Sequence, residues 1–280
     1  MTIRDLLSHQ SGLGYGEDNA SAVDSAYKEQ NGPHDFYGTL AEMSSALSKF
    51  PLKFSPGTAW HYSLATDLCG YLVEVISGLR FDEFLSKHIF EPLGMTDTAF
   101  SVPNEKLQRF AACYAPDSEA GMKLVDDAET SPFRKQPSFH SGGGGLMSTA
   151  MDYYKFLQML LNGGVADDRR YLSRKTIELM TLNHLTDGAS LQSHGFQGER
   201  SEPSQAGFGF GLGFQVTLDR ADSQIVGSIG QYSWGGYAST EYWVDPTEDI
   251  VVVFMTQLTP SGFYPIKREL QVLVNAAIND

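Results

Sequence analysis

Cysteine is almost absent from this chain of 280 residues, which contains only Cys69 and Cys113. Two cysteines are too few for the disulfide framework on which small secreted domains depend, so the fold has to rest on an apolar core. The 41% hydrophobic content is enough for one or two domains with a large core. Cys69 falls within a helical pattern, where we expect a small buried hydrophobe.

Positive charge is also scarce, since 20 Lys and Arg residues stand against 34 Asp and Glu residues and give a formal net charge of -14. Binding to a nucleic-acid backbone requires clustered cations, so the composition argues against a nucleic-acid partner. Apolar runs of membrane-spanning length are missing as well, and we expect no membrane span. Residues 1–5 read as the start of a polar helix. If Met1 is the true start, the protein is cytoplasmic, and otherwise the compartment stays open.

Motifs for metal ions and nucleotide cofactors are missing too. None of the seven histidines lies at a metal-ligand spacing such as His-Glu-x-x-His. The glycine-rich stretch 207–213 lacks the strand–turn–helix setting of a nucleotide loop and reads as a strand. We therefore predict neither a metal ion nor a cofactor.

The hydrophobic periodicity changes along the chain from helical to strand-like. Up to residue 204 it predicts a mostly helical region, and residues 205–280 are predicted to form an antiparallel sheet covered by a C-terminal helix from Pro265. In this second region, alternation from Phe208 to Val216 indicates one strand. Further strands are predicted at 225–229, 237–244 and 250–255, whereas 116–137 and 192–205 are predicted to be loop and linker.

One tetrapeptide, Trp60-His61-Tyr62-Ser63, precedes a helical run that ends at Gly78. A single tyrosine is most often a packing residue with one hydrogen bond. What distinguishes Tyr62 is that four other stretches of the chain are also recognisable motifs and occur in the expected order. They are Thr2 to Leu13 (TIRDLLSHQSGL), Phe90 to Met95 (FEPLGM), Ser141 to Thr149 (SGGGGLMST) and Trp234-Gly235-Gly236.

Together these stretches resemble the serine β-lactamase and penicillin-binding-protein superfamily, and most closely its class C-like family VIII esterases. The resemblance implies an α+β fold of the β-lactamase/transpeptidase type, in which a helical region packs on an antiparallel sheet covered by a C-terminal helix. It also implies a serine hydrolase that attacks an ester or amide carbonyl of a small molecule and passes through an acyl-enzyme.

The resemblance assigns roles to five residues. Tyr62 would carry the proton during acyl transfer. Trp234-Gly235-Gly236 stands where the family has Lys-Thr-Gly or, in its esterases, Trp-Gly-Gly, on the inner edge strand. The backbone N–H of Tyr237 would then be one oxyanion donor. Leu64 replaces the asparagine of the β-lactamases, which argues against recognition of a lactam. Without the other motifs, Trp234 would read as a buried sheet aromatic.

The Ser-x-x-Lys nucleophile motif of this family is expected upstream of Met1. Ser25-Ala26-Tyr27-Lys28 matches the letters but lies in the wrong order and in acidic surroundings. An exposed lysine there would stay protonated and could not act as a base. We therefore expect a truncated chain that lacks the family's N-terminal strands and nucleophile helix and is weakly active or inactive. The alternative is a non-catalytic member that binds a ligand or a protein partner.

A last prediction concerns the stretch from Ile250 to Met255, which is apolar at every position. This pattern indicates a strand flanked on both sides. Sequence order supplies one neighbour, and the family's other neighbour would precede this chain. An unpaired edge of this kind predicts self-association or poor solubility.

Overall fold

The computed structural model describes residues 1–16, 21–29, 38–119, 121–195 and 205–279. In these ranges the α-helices are α1 (Ile3–Leu7), α2 (Ala22–Glu29), α3 (Leu40–Leu47), α4 (Ala65–Ser77), α5 (Phe81–Leu85), α6 (Ala150–Leu161), α7 (Arg174–Met180), α8 (Leu191–His194), α9 (Arg220–Ser223) and α10 (Ile266–Ala276). The strands are β1 (Cys113–Asp117), β2 (Gly121–Asp126), β3 (Val165–Ala166), β4 (Arg169–Arg170), β5 (Phe208–Phe210), β6 (Gln215–Thr217), β7 (Tyr232–Gly235), β8 (Glu241–Asp245) and β9 (Ile250–Phe254).

Helix ends follow the local sequence signals. The Thr2 hydroxyl accepts a hydrogen bond from the Asp5 amide at 3.2 Å, and the Asp5 carboxylate accepts one from the Thr2 amide at 2.7 Å. Such a capping box satisfies N–H groups that the first helical turn leaves unpaired. At the other end of a helix, Gly78 terminates α4 in the left-handed conformation with φ of 71°. Both ends lie where the sequence predicts them.

The main sheet has five antiparallel strands in the order β5-β6-β7-β8-β9. The predicted single strand from Phe208 to Val216 is wrong, because β5 and β6 form a hairpin there. The Gly211 amide donates to the Phe214 carbonyl at 2.7 Å, and Gly213 has φ of +96°, which glycine adopts without strain. Strict alternation of glycine and aromatics therefore concealed a turn.

Two other strand assignments differ from the sequence predictions. Residues 225–229 form no strand, and Val226 and Ile229 are more than half exposed at 56% and 62%. The predicted loop from 116 to 137 instead contains most of the β1–β2 hairpin, which is a separate two-stranded sheet. Its low apolar content suits a ribbon that buries little surface, and this is why a pattern based on core burial missed it.

The largest core cluster joins helical residues to sheet residues. Leu157 and Leu160 of α6 are enclosed together with Val216, Tyr232 and Val244 of the sheet. A second cluster lies within the helical region around Met43 and Leu64. The predicted division at residue 204 stays a prediction, and residues 196–204, which carry most of the predicted linker, lie outside the described residues.

The outer end of the sheet is less well covered than its centre. Among the strands that the structure describes, β9 pairs only with β8, and all five of its residues are half-buried. Helix α10 was predicted to lay its apolar side on the sheet, but its enclosed residue is Gln271, and Leu273 is 68% exposed. A polar side chain thus occupies the covered face of α10. Among the described helices, none is both long and apolar enough to span a membrane.

Candidate active site

Tyr62 and Trp234 meet at the junction between the helical region and the sheet. Their ring centroids are 5.4 Å apart with the ring planes tilted by 42°, a separation typical of packed aromatic pairs. Tyr62 is 36% exposed just before α4, and Trp234 is half-buried on β7. These two residues, which the resemblance places in one cleft, are therefore in contact.

Beneath this pair, aromatic side chains form a continuous floor. The Phe210 ring of β5 lies edge-on to Trp234 at 5.3 Å and packs against Trp60 at 5.6 Å. Trp60 is held by its amide, which donates to the carbonyl of His194 at 2.8 Å. Phe210 is 1% exposed whereas Tyr62 is 36% exposed, so this aromatic cluster reaches solvent at Tyr62.

His9 belongs to the same floor. Its ring centroid lies 4.7 Å from that of Tyr62 and 5.4 Å from that of Phe210. Burial, and secondarily the neighbouring His61, lowers the pKa of His9 to about 3, so the imidazole is uncharged near neutrality. The sequence interpretation included His9 only as a letter of the opening helix motif. No spacing rule distinguishes it, because its position depends on the turn that follows α1.

The second side of the cleft is the end of β7. Strand β6 pairs only with Tyr232 and Ser233, so Trp234 and Gly235 extend beyond its end, whereas β8 pairs with all four residues of β7. The predicted placement on an edge strand is wrong in topology, since β7 lies between β6 and β8. Strand β6 nevertheless does not pair with Trp234 and Gly235, so the β6 side of these two residues has no strand partner among the described residues.

Just beyond β7, the turn that carries Tyr237 is fixed by backbone hydrogen bonds. The Gly236 amide donates to Thr240 at 2.8 Å, and the Ser239 amide donates to Gly236 at 3.0 Å. Tyr237 is 76% exposed, and its amide makes no hydrogen bond to any other described residue. The Tyr237 N–H is therefore available to an incoming acceptor.

Tyr15 and the glycine loop form a third side of the cleft. The Tyr15 ring lies 5.4 Å from Tyr62, and its hydroxyl would be 3.4 Å from a Cβ at Gly143. A Cβ at Gly142 would lie 2.1 Å from the Thr66 carbonyl oxygen, so the loop approaches α4 as closely as only glycine allows. Tyr15 was not singled out from the sequence.

Asp67 holds the glycine loop on α4. One of its carboxylate oxygens accepts hydrogen bonds from the Ser141 hydroxyl and, at 3.2 Å, from the Gly143 amide. Burial raises the pKa of Asp67, and these hydrogen bonds oppose that rise. The segment carrying Tyr62 and the glycine loop are thus tied together beside the cleft.

The other charged groups of this region are structural or distant. Lys53 and Asp24 form an ion pair at 2.8 Å with side chains only 1% and 0% exposed. Lys28 of the Ser-x-x-Lys match is exposed on α2, as expected, and Ser25 is half-buried there. Within the described ranges, no three Asp, Glu, His or Cys residues cluster closely enough to hold a metal ion.

Comparison with known proteins agrees with this architecture. A family model described as Beta-lactamase matches residues 1–276. The chain belongs to the beta-lactamase family. Protein Rv1367c of Mycobacterium tuberculosis is 35% identical over 264 residues, which cover 92% of this chain and 62% of the relative. Esterase EstB of Burkholderia gladioli is 28% identical, with 94% of this chain and 66% of the esterase covered.

Solved structures of other proteins have the same fold. Simvastatin synthase (LovD) of Aspergillus terreus superposes with a TM-score of 0.78 at 26% identity, over 100% of this chain and 70% of the synthase. The α+β fold of the β-lactamase/transpeptidase type is therefore confirmed. The chain spans about three fifths of the mycobacterial relative, 62% of its length. The relatives of known activity include esterases and acyltransferases.

Proposed function

We propose that this chain carries the proton-transfer and oxyanion parts of a serine-hydrolase site that acts on the carbonyl of a small ester through an acyl-enzyme, as in family VIII. The observation that supports this most is the contact between Tyr62 and Trp234 beside the open end of β7. Two sequence-distant residues of the family's motifs meet there, and sites generally gather where structural layers meet.

Tyr62 is proposed as the proton carrier. Its ring is partly exposed at the cleft and is held by His9, Tyr15 and Trp234 on three sides. A free phenol titrates near 10, so it acts as a base near neutrality only where cations stabilise the phenolate. The lysine of a Ser-x-x-Lys motif is such a cation, and it would also activate the serine.

The Tyr237 amide is proposed as one oxyanion donor, with Trp234, Gly235 and Gly236 forming the substrate-binding strand. This N–H has no hydrogen-bond partner among the described residues, on a turn where the Gly236 and Ser239 amides are bonded, so it is available when negative charge develops on a carbonyl oxygen. In such sites the second donor is the amide of the nucleophile itself.

An ester is favoured over a lactam as substrate. Leu64, which replaces the asparagine of the β-lactamases, is 6% exposed and packs in the helical core, so it offers no polar group to the cleft. Trp234 replaces the lysine of Lys-Thr-Gly with an uncharged aromatic surface. Relatives named as esterases act on small-molecule esters, and we extend that class to this site.

The nucleophile is proposed to come from a Ser-x-x-Lys segment outside these 280 residues. The one matching sequence here, Ser25 to Lys28, lies on α2 with its lysine exposed to solvent. The described rings around Tyr62, which are those of His9, Tyr15 and Trp234, all lie outside this helix. We therefore propose that the chain alone is weakly active or inactive as a hydrolase.

The binding part of the proposal is tested with N-(4-nitrophenyl)butanamide, the amide analogue of a short p-nitrophenyl ester, by titration calorimetry. Trp234→Ala should weaken binding about fivefold, because it removes an aromatic surface that contributes on the order of 1 kcal/mol. Phe133→Ala, which removes an exposed aromatic elsewhere, is the control. Equal affinity of all three proteins would refute the site.

A second candidate function is that of a non-catalytic member that binds a ligand or protein partner in the same cleft. The position of Ser25 and Lys28 on α2 favours it, because the described residues around Tyr62 are aromatic and include no serine–lysine pair. Binding of the ester with no acyl-enzyme, even after a Ser-x-x-Lys segment is supplied, would favour this function. Formation of an acyl-enzyme would exclude it.

A further inference from the structure

His9 occupies an unusual backbone position below Tyr62. It follows α1 with φ of 54°, in the left-handed region that side chains other than Asn, Asp and His seldom adopt. Its carbonyl accepts a hydrogen bond from the His61 amide at 2.9 Å, so the backbone that leads into Tyr62 is attached to this turn. The turn therefore controls both the chain path and the ring contact at Tyr62.

Within the part of the chain that the structure describes, no hydrogen bond at Nδ1 explains the burial of the His9 side chain. It is 2% exposed, and Nδ1 is enclosed without a hydrogen bond. Burial of a polar atom without a partner destabilises a fold. The His9 ring instead lies against three aromatic rings: Tyr62 at 4.7 Å, Phe210 at 5.4 Å and Trp60 at 6.2 Å between ring centroids.

This position requires a left-handed backbone and an aromatic ring, and two other residue types would each meet one of these requirements. Asparagine tolerates the left-handed backbone well but has no ring, and phenylalanine has the ring without a buried polar nitrogen. Histidine combines the ring with tolerance of the backbone, and its low pKa keeps charge away from the phenol. A residue selected only for stability need not combine these properties.

We propose that His9 is a positioning residue for Tyr62, whose uncharged ring fixes the plane of the phenol against Trp234. This inference rests on the proposed function of Tyr62 as proton carrier. A proton carrier has to be held in one orientation relative to the carbonyl, and small displacements at a reacting group are costly. The tilted contact between His9 and Tyr62 at 4.7 Å provides that constraint from the buried side.

The test replaces His9 in the full chain labelled with 3-fluorotyrosine and observes the fluorine resonances of its 13 tyrosines. The Tyr62 resonance is assigned by its loss in Tyr62→Phe. His9→Asn retains the backbone and removes the ring, so we expect the Tyr62 resonance to shift or broaden. We expect His9→Phe, which retains a ring, to restore the position found in the unmodified chain.

A matched control and a second readout separate positioning from a general structural effect. His194→Asn removes another histidine with an enclosed unpaired nitrogen, and it should leave the Tyr62 resonance in place. Binding of N-(4-nitrophenyl)butanamide should weaken about fivefold in His9→Asn and recover in His9→Phe, in line with the usual contribution of an aromatic pair. If His9→Asn does not fold, His9→Gly takes its place, because glycine adopts the left-handed backbone without strain and also removes the ring.

The outcomes distinguish this inference from the proposed function. A folded His9→Asn with an unchanged Tyr62 resonance overturns the positioning role. If the unmodified chain does not bind the amide, the proposed function fails, while the fluorine spectra still test the contact.

Discussion

The floor of the candidate site and the outer edge of the sheet are built differently. In the floor, His9, Trp60 and Phe210 are at most 7% exposed and contact one another across three elements. At the outer edge, every residue of β9 is half-buried, β8 is its one neighbour among the described strands, and Leu273 of α10 is 68% exposed. The described residues therefore bury the floor of the site, whereas at the edge they leave backbone groups of β9 without a strand partner and apolar surface exposed.

The largest effect is expected from breaking the buried ion pair in the helical region that carries Tyr62. Lys53→Met would leave Asp24 charged and enclosed, and loss of one partner of a buried pair typically costs about 3–5 kcal/mol. Lys175→Met is the control, because its pair with Glu178 is exposed and such pairs contribute roughly 0–1 kcal/mol. Urea unfolding measures both, and a small loss in Lys53→Met would show that the pair is not structural.

A somewhat smaller effect is expected from separating the glycine loop from α4. Gly142→Ala would place a Cβ 2.1 Å from the Thr66 carbonyl oxygen, and overpacking of this kind costs about 1–3 kcal/mol. Gly144→Ala is the matched control, because nothing lies within 4 Å of its Cβ position. Thermal unfolding compares the two, and equal melting temperatures would contradict the close approach.

The sequence predicts the helix ends and the contact between family motifs better than it predicts turns and loops. Capping at Thr2 and termination at Gly78 follow from local chemistry, and the contact of Tyr62 with Trp234 follows from the family resemblance. The β5–β6 hairpin was missed because a turn at glycines does not interrupt an alternating pattern. His9 and Tyr15 lie on the loop after α1, and hydrophobic periodicity does not predict where a loop places its side chains.

The smallest effect is expected at the open edge, where we propose self-association through β9. In an antiparallel pairing centred on Val252, Ile250 would face Phe254 of a second copy, and Asp249 would face Met255, so that no like charges meet. Val252→Lys places a charge at this edge and should raise the dissociation constant about tenfold.

Size-exclusion chromatography with light scattering over a dilution series tests this association. Ser118→Lys adds the same charge on the exposed β1–β2 turn and should have no effect. Amide exchange of Val251 to Phe254 shows whether the edge of β9 is already protected in the monomer. A monomer at every concentration with strongly protected amides would mean that the edge is already covered.

The central claim is that these residues supply the proton carrier and one oxyanion donor but not the nucleophile. Turnover and covalent labelling test it most directly. The chain and its Tyr62→Phe variant are mixed with a short p-nitrophenyl ester and, separately, with a fluorophosphonate whose attachment is mapped by mass spectrometry. The account predicts equal rates at the uncatalysed level and no labelled serine, because the serine nucleophile is proposed to lie outside these residues. A burst of p-nitrophenol with label on Ser25 would contradict it.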